Sequence, residues 1–502
     1  MKQQVRLALA SLLAAASASV AGLAYADVVV EGDVSPENPT DPWDLGSSPL
    51  VVNTISHDPA RVTVSNRGTL ISAGAYVGRA SYGTGTVEVL GYGSRWLNSG
   101  SIEIAFGDSE GVVAVRRGAQ VTTDALVVGA GADSIGNVFV EGYDATLTSR
   151  TDVYIPRRGV GRLALRQGAS FFSNNTSLGR CRFCLGMALA TGAWTRWVNT
   201  GDFAVGGGGV GRLDVYAAEL STVNARIEGD PGIGRTYVTV SGWGGTWTNQ
   251  GLLRVGVDIQ FGEFAGEVSV GAYGTLVTED TEIHSRDGGA FVAVNDVYAS
   301  WINSGDVTVL ASRRQSPSLV VDGGGLVRVG GLLRSAPLVE GEPDEAPSVR
   351  LADGELVAAG IEVGAGDFDF AGGRLSAGVF VGDLVNTQAG ELVVGDAYSS
   401  TAIAGAYSQG PGAALHITVG GPGAAPILDV DGDVSLGGVL EVVAAEGSAP
   451  FQAGDNVVLL GFTGALSGAF DEVNIVVPLA DGLAWDTSAL YTTGVITVVA
   501  AG

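Results

Sequence analysis

Along most of this chain, apolar residues alternate with polar ones in runs of only three to five positions. Val62/Val64, Val87/Val89, Ile102/Ile104, Val113/Val115, Val138/Val140, Leu163/Leu165, Leu213/Val215, Val238/Val240, Val268/Val270 and Leu319/Val321 all follow it. A period of two marks a strand with one buried face. Past residue 26 no stretch shows the 3.6-residue period of an amphipathic helix. Strands this short do not survive singly, and they gain stability when each coil lays its strands beside those of the next. The pattern therefore predicts an all-β protein, a right-handed parallel β-helix (solenoid) with a C-terminal β cap.

The pattern also repeats at longer range. Val87 to Ile104 carries Gly91, Gly93, Trp96, Asn98 and Gly100, and Val238 to Val255 repeats it around Gly242, Gly244, Trp247, Asn249 and Gly251. Shorter copies hold Trp197 with Asn199 and Trp301 with Asn303, while Val138 to Leu147 places Leu147 in the tryptophan slot. Anchors at 96, 147, 197, 247 and 301 give a period of about 50 residues, the signature of a repeat architecture. Each unit should make about two turns of the solenoid, at roughly 20 to 25 residues per coil.

Each recurring slot of the motif has a physical reading. The glycines suit corners that need positive φ or close backbone approach. Trp96, Trp197, Trp247 and Trp301 are large enough to fill a bend of the interior, with the indole N–H directed to a backbone carbonyl. Asn98, Asn199, Asn249 and Asn303 satisfy turn backbone from the side chain. An outward aromatic stripe for glycans is the competing reading of these tryptophans, and their fixed phase with Asn and Gly favours the core.

Residues 1–26 read as a signal peptide: Lys2 and Arg6, an Ala/Leu/Val/Ser run from Leu7 to Leu23, and a small-x-small site at Ala24-Tyr25-Ala26. Residues 27–48 form an N-terminal cap, 49–395 the solenoid of ~50-residue repeats, and 396–502, with longer apolar runs, a C-terminal β cap over the open edge. The stretch Arg180 to Thr195 departs from the repeat spacing, and Pro337 to Pro347 is an acidic, proline-rich loop.

Composition supports this division and limits the partners. The 78 glycines and 46% hydrophobic residues suit many short strands joined by tight turns. They fit neither collagen, which needs glycine at every third position, nor disorder. The 27 basic and 53 acidic residues give −26, which becomes −28 once Lys2 and Arg6 are removed. So acidic a surface repels nucleic acid and anionic lipid. No segment after residue 26 is apolar for long enough to span a membrane. Cys181 and Cys184, the only cysteines, form a candidate disulfide in an exported protein; zinc would require a second ligand pair.

Site chemistry is sparse. Asp429-Val430-Asp431-Gly432-Asp433 is the best acidic cluster and a candidate for calcium, yet it lacks the glutamate that closes an EF-hand loop. Asp367/Asp369 and Glu279/Asp280/Glu282 read as solvated strand faces. His57, His284 and His416 lie far apart in solenoid order, which argues against a metal triad. Gly206 to Gly209 is followed by neither helix nor lysine, so it serves a turn rather than a phosphate. The expectation is that the chain holds no cofactor and no metal.

With these residues in view, the chain resembles the repeat family shared by autotransporter (type V secretion) passengers and PEP-CTERM-associated exported proteins. Gly85 to Ile104, Arg235 to Gly256 and Ala299 to Val309 match its G-x-V-x-V-x-G-x-G-S-x-W-x-N-S-G cycle most closely, and Gly405 to Gln409, Gly432 to Leu440 and Gly482 to Asp486 are similar to the segment closing such passengers. The resemblance covers roughly 49 to 502 and brings no catalytic motif. Neither a translocating barrel nor a Pro-Glu-Pro sorting motif follows, so export by the signal peptide alone is expected. The expected function is non-catalytic, a structural or adhesive element of the cell envelope or extracellular matrix. Its expected partner is a cell-surface or extracellular polysaccharide or protein. A polysaccharide lyase or hydrolase, or a glycan-binding module on the same scaffold, is the alternative.

Overall fold

The computed structural model describes residues 27–37, 39–55, 57–229, 234–256, 266–286, 289–312, 318–337, 348–364 and 367–502. The signal-peptide reading of 1–26 and most of the acidic loop at 337–347 lie outside the described residues. The chain is about 60% strand and 1% helix, wound as parallel stacked coils into a β-solenoid of about 15 turns.

One coil shows how the sequence builds the rest. Thr84–Leu90 forms the first face, Arg95–Asn98 the second and Ser101–Ile104 the third. Each strand then pairs in parallel with its counterpart one coil on. Thr84, Glu110, Ile135, Val160, Leu185 and Val210 align laterally, so successive coils take 25 or 26 residues and the 50-residue repeat spans two of them. The alternating valines point inward on the first face: Val87, Val113 and Val138 share one buried row, and Val89, Val115 and Val140 another.

The tryptophan anchors line up in a single interior column on the second face. Trp43, Leu70, Trp96, Val121, Leu147, Phe171, Trp197, Leu220, Trp247, Leu276, Trp301 and Val327 follow one another coil by coil. In most of this column a wide indole alternates with a smaller side chain, which lets successive layers interdigitate. Around Trp197 the load is heavier, because Phe171 and Phe203 both lie 5.3 Å from its ring centre. That coil answers with Ala188 and Ala190 on the first face, where its neighbours hold Leu163/Leu165 and Leu213/Val215.

The two ends differ from the expected boundaries. Asp27–Glu31 lies antiparallel on Ala60–Ser65, and Val34–Ser35 lies antiparallel on Leu50–Val52, covering the first coil. Trp43 already belongs to the interior column. At the other end the parallel stack does not stop at 395. Leu392, Leu415, Leu440 and Val473 continue the same column, so coils run on to Glu472–Val476. The antiparallel part is smaller than 396–502: Val495–Ala500 between Asn456–Val458 and Leu483–Asp486, with a one-turn helix at Leu490–Thr493. Longer apolar runs there signal deeper strands of the same solenoid, because both kinds of strand bury one face.

Candidate functional site

The four predicted tryptophans and their asparagines are buried together, two residues apart on the second face. Their polar atoms form one relay. Trp96 Nε1 donates to Ser72 Oγ at 3.0 Å, Ser72 Oγ donates to Asn98 Oδ1 at 2.7 Å, and Asn98 Nδ2 donates to Gly100 O at 2.7 Å. The same chain of bonds runs from Trp197 through Ser173 and Asn199 to Gly201 O, and from Trp247 through Thr222 and Asn249 to Gly251 O. Trp301 donates to Thr278, which donates to Asn303. The acceptor of the indole is thus a hydroxyl of the preceding coil and not the backbone carbonyl expected from sequence. A Ser or Thr fits because a hydroxyl both accepts and donates, which a carbonyl does not.

At Leu147 the column keeps buried Thr123 and Ser149, bonded to Asn98 and to backbone carbonyls, but beyond Trp301 relay and indole disappear together. After Trp301 and Asn303 the two columns become Val327/Val329, Leu356/Ala358 and Leu375/Ala377. With no buried N–H to satisfy, the acceptor column becomes apolar. These anchors are architecture, and they face no solvent.

A second aromatic set faces outward. It occupies the turn between first and second faces, three or four residues before the interior column. Tyr92, Tyr143, Trp194, Trp243, Tyr273 and Tyr298 are 76, 70, 81, 82, 44 and 68% exposed. Trp243 lies 5.6 Å from Tyr273, and Tyr273 lies 5.1 Å from Tyr298, with interplanar angles of 31° and 26°. Sequence reading passed over these rings because each sits in a variable slot of the motif. Their fixed offset from the buried anchor was the available signal.

The third face carries a shallow cleft of about 500 Å³ across four coils. It opens where the outward row narrows to Ser177 and Ala204 between Tyr154 and Arg226. Asp152 and Asp202 line it, with Asn175 Nδ2 donating to Asp152 Oδ1 at 3.0 Å. The buried Ser177 hydroxyl has no hydrogen-bond partner among the described residues.

The remaining predicted residues are dispersed. Cys181 and Cys184 are joined in a disulfide, Cα atoms 5.4 Å apart, on the turn before Leu185. Asp431 and Asp433 spend a carboxylate oxygen each on the next coil, accepting from Thr463 Oγ1 and Ala465 N at 2.9 and 2.7 Å. Asp367 is buried beside Ser335, while Asp369 faces Arg350 outside, so the pair does not share a solvated face. Glu282 pairs with Arg254, and Asp280 accepts from Asp306 N. His57, His284 and His416 stay on separate coils, His416 between Glu391 and Glu441. Among the described residues no group of three or more His, Cys, Asp or Glu is placed to hold a metal ion, and no helix is long and apolar enough to cross a membrane.

Comparison with protein-family models finds no family that matches this chain, and comparison with curated proteins finds no relative.

Proposed function

We propose that the chain is an exported, non-catalytic scaffold, a structural or adhesive element of the cell envelope or extracellular matrix. The observation that carries this reading is where the polar side chains are spent. Inside, the hydroxyls and amides of the second face serve the indoles. Outside, Arg61, Glu88, Arg116, Glu141 and Arg166 form a continuous ion ladder over successive coils of the first face. Asn224, Asp280, Asp306, Asp383 and Asp433 each accept a backbone N–H of the following coil. These side chains are engaged in holding one coil to the next. Fractionation of the native host, with mass spectrometry of the N-terminus, tests export: a mature chain starting at Asp27 outside the cytoplasm is expected.

The cleft on the third face favours a second reading, a polysaccharide-active enzyme, because Asp152, Asp202 and Glu228 meet Arg226 there. Incubation with neutral and anionic polysaccharides separates the two. No release of reducing or unsaturated ends is expected; turnover that Asp202→Asn abolishes would replace the scaffold reading with the enzymatic one.

A further inference from the structure

We propose that the outer aromatic ridge is a binding site for an extended, uncharged β-1,4-linked polysaccharide lying along the solenoid axis. The proposal rests on the scaffold reading only in requiring that the protein meet an extracellular polymer.

The ridge is built, and it is not a scatter of surface residues. In its first half, aromatic coils alternate with glycine coils. A Cβ on Gly118 would stand 3.3 Å from Tyr92 Cδ2, and one on Gly168 would stand 3.2 Å from Tyr143 Cδ2. Each tyrosine therefore lies against the bare backbone of the next coil. In the second half the rings run through successive coils, Trp243, Tyr273 and Tyr298, at close stacking distances.

Three of the rings are held against local preference. Trp194, Tyr273 and Tyr298 have φ of 67°, 59° and 60°, at the turn position that Gly93 and Gly244 fill in other copies. Bulky residues seldom adopt that conformation, and these three stand outside the core, 44 to 81% exposed. Tyr82 and Phe183 share this backbone conformation on another corner, so it marks the turn, and the ridge is distinguished by its rings recurring along one line of coils.

Geometry and charge name the ligand. Neighbouring coils rise about 4.7–4.9 Å, so two coils advance roughly 9.5 Å. That is close to the length of one disaccharide in a fully extended β-1,4-linked glucan or chitin chain. Such a chain presents flat, apolar sugar faces to aromatic rings and hydroxyls to the polar groups beside them. Arg117 and Gln167 occupy the same turn in the intervening coils, and Arg67 in the coil before Tyr92, and they supply those polar groups. A net charge of −26 opposes anionic polymers such as pectate.

The test is depletion binding of the mature chain to microcrystalline cellulose and chitin, with granular α-glucan and calcium pectate as comparisons. Binding to one or both β-1,4 polymers is expected, with at least tenfold weaker retention on the other two. Trp194→Ala and Trp243→Ala should each weaken binding about tenfold, taking ring stacking as comparable to that of a nucleic-acid base, with the far-ultraviolet spectrum unchanged. Tyr82→Ala with Phe183→Ala, exposed aromatics on another corner, should leave binding unchanged. Absence of binding to both β-1,4 polymers, equal retention on pectate, or indifference to the ridge substitutions would each overturn the proposal while leaving the scaffold reading standing. Turnover of a soluble glycan would sink the scaffold reading alone.

Discussion

Thr222 and Asn249 offer the clearest test of the internal relay, because they share one buried hydrogen bond of 2.8 Å. Thr222→Val removes the hydroxyl and orphans two groups, the Trp247 N–H and the Asn249 side-chain carbonyl. Asn249→Leu orphans two others, the Thr222 O–H and Gly251 O. Each unsatisfied buried group costs about 1–3 kcal/mol, so either single change should cost about 2–6 kcal/mol. The double variant still orphans only two groups, Trp247 N–H and Gly251 O, because the shared bond loses both partners at once. It should therefore cost about as much as one single variant, a coupling of at least about 2 kcal/mol, within the range seen for groups in one network. Solenoids open locally along their length, so the measurement is hydrogen exchange on peptides spanning residues 219–255 in all four proteins. Each single variant should lose about thirtyfold in protection or more, at 1.4 kcal/mol per factor of ten, and the double should lose little further. Losses that add to within 0.5 kcal/mol would refute the relay.

Three other outcomes follow from the packing. Ala190→Leu should overfill the coil that holds Trp197 and Phe203 and lower stability by about 1–3 kcal/mol; adding Trp197→Leu should recover part of that in the melting midpoint, and no recovery would break the compensation argument. Tyr407 is fully buried and donates to Gln409 Oε1 at 2.8 Å, and burial raises its pKa well above the ordinary value. The unfolded chain therefore gives up this proton near pH 10 while the folded chain keeps it, so stability should fall as pH rises past about 10. Tyr407→Phe should flatten that alkaline slope. Acrylamide should quench the emission of Trp194 and Trp243 and spare Trp43, Trp96, Trp197, Trp247 and Trp301; a Trp194→Phe/Trp243→Phe/Trp485→Phe protein, which keeps only these five buried indoles, that remains strongly quenched would place the anchors wrongly.

The sequence was most informative where one residue type had to meet the same demand in every second coil. Alternating valines and the indole–asparagine spacing reported buried rows directly, since burial imposes period two within a strand and a fixed phase between coils. It was silent where the partner lies a full coil away. Nothing near Trp247 points to Thr222, 25 residues earlier, so the indole was assigned the nearest kind of acceptor. The ridge was hidden for a different reason: Tyr92, Tyr143 and Trp243 fall on a motif position with no residue requirement of its own, and spacing alone does not say on which side of the backbone a turn residue lies. The boundary at 395 was misplaced because strand length does not distinguish a parallel coil from an antiparallel cap. Only pairing does.

Distances between spin labels test the central claim of a coil-by-coil stack most directly. Glu103, Arg226 and Arg334 share one outward row of the third face, with Arg226 five coils and Arg334 nine coils beyond Glu103. Cysteine-linked labels at 103/226 and 103/334 should lie roughly 24 and 43 Å apart, in proportion to the number of coils between them. Equal or shorter separation for the longer pair would mean that the chain closes on itself or divides into separate units, and would contradict the stack.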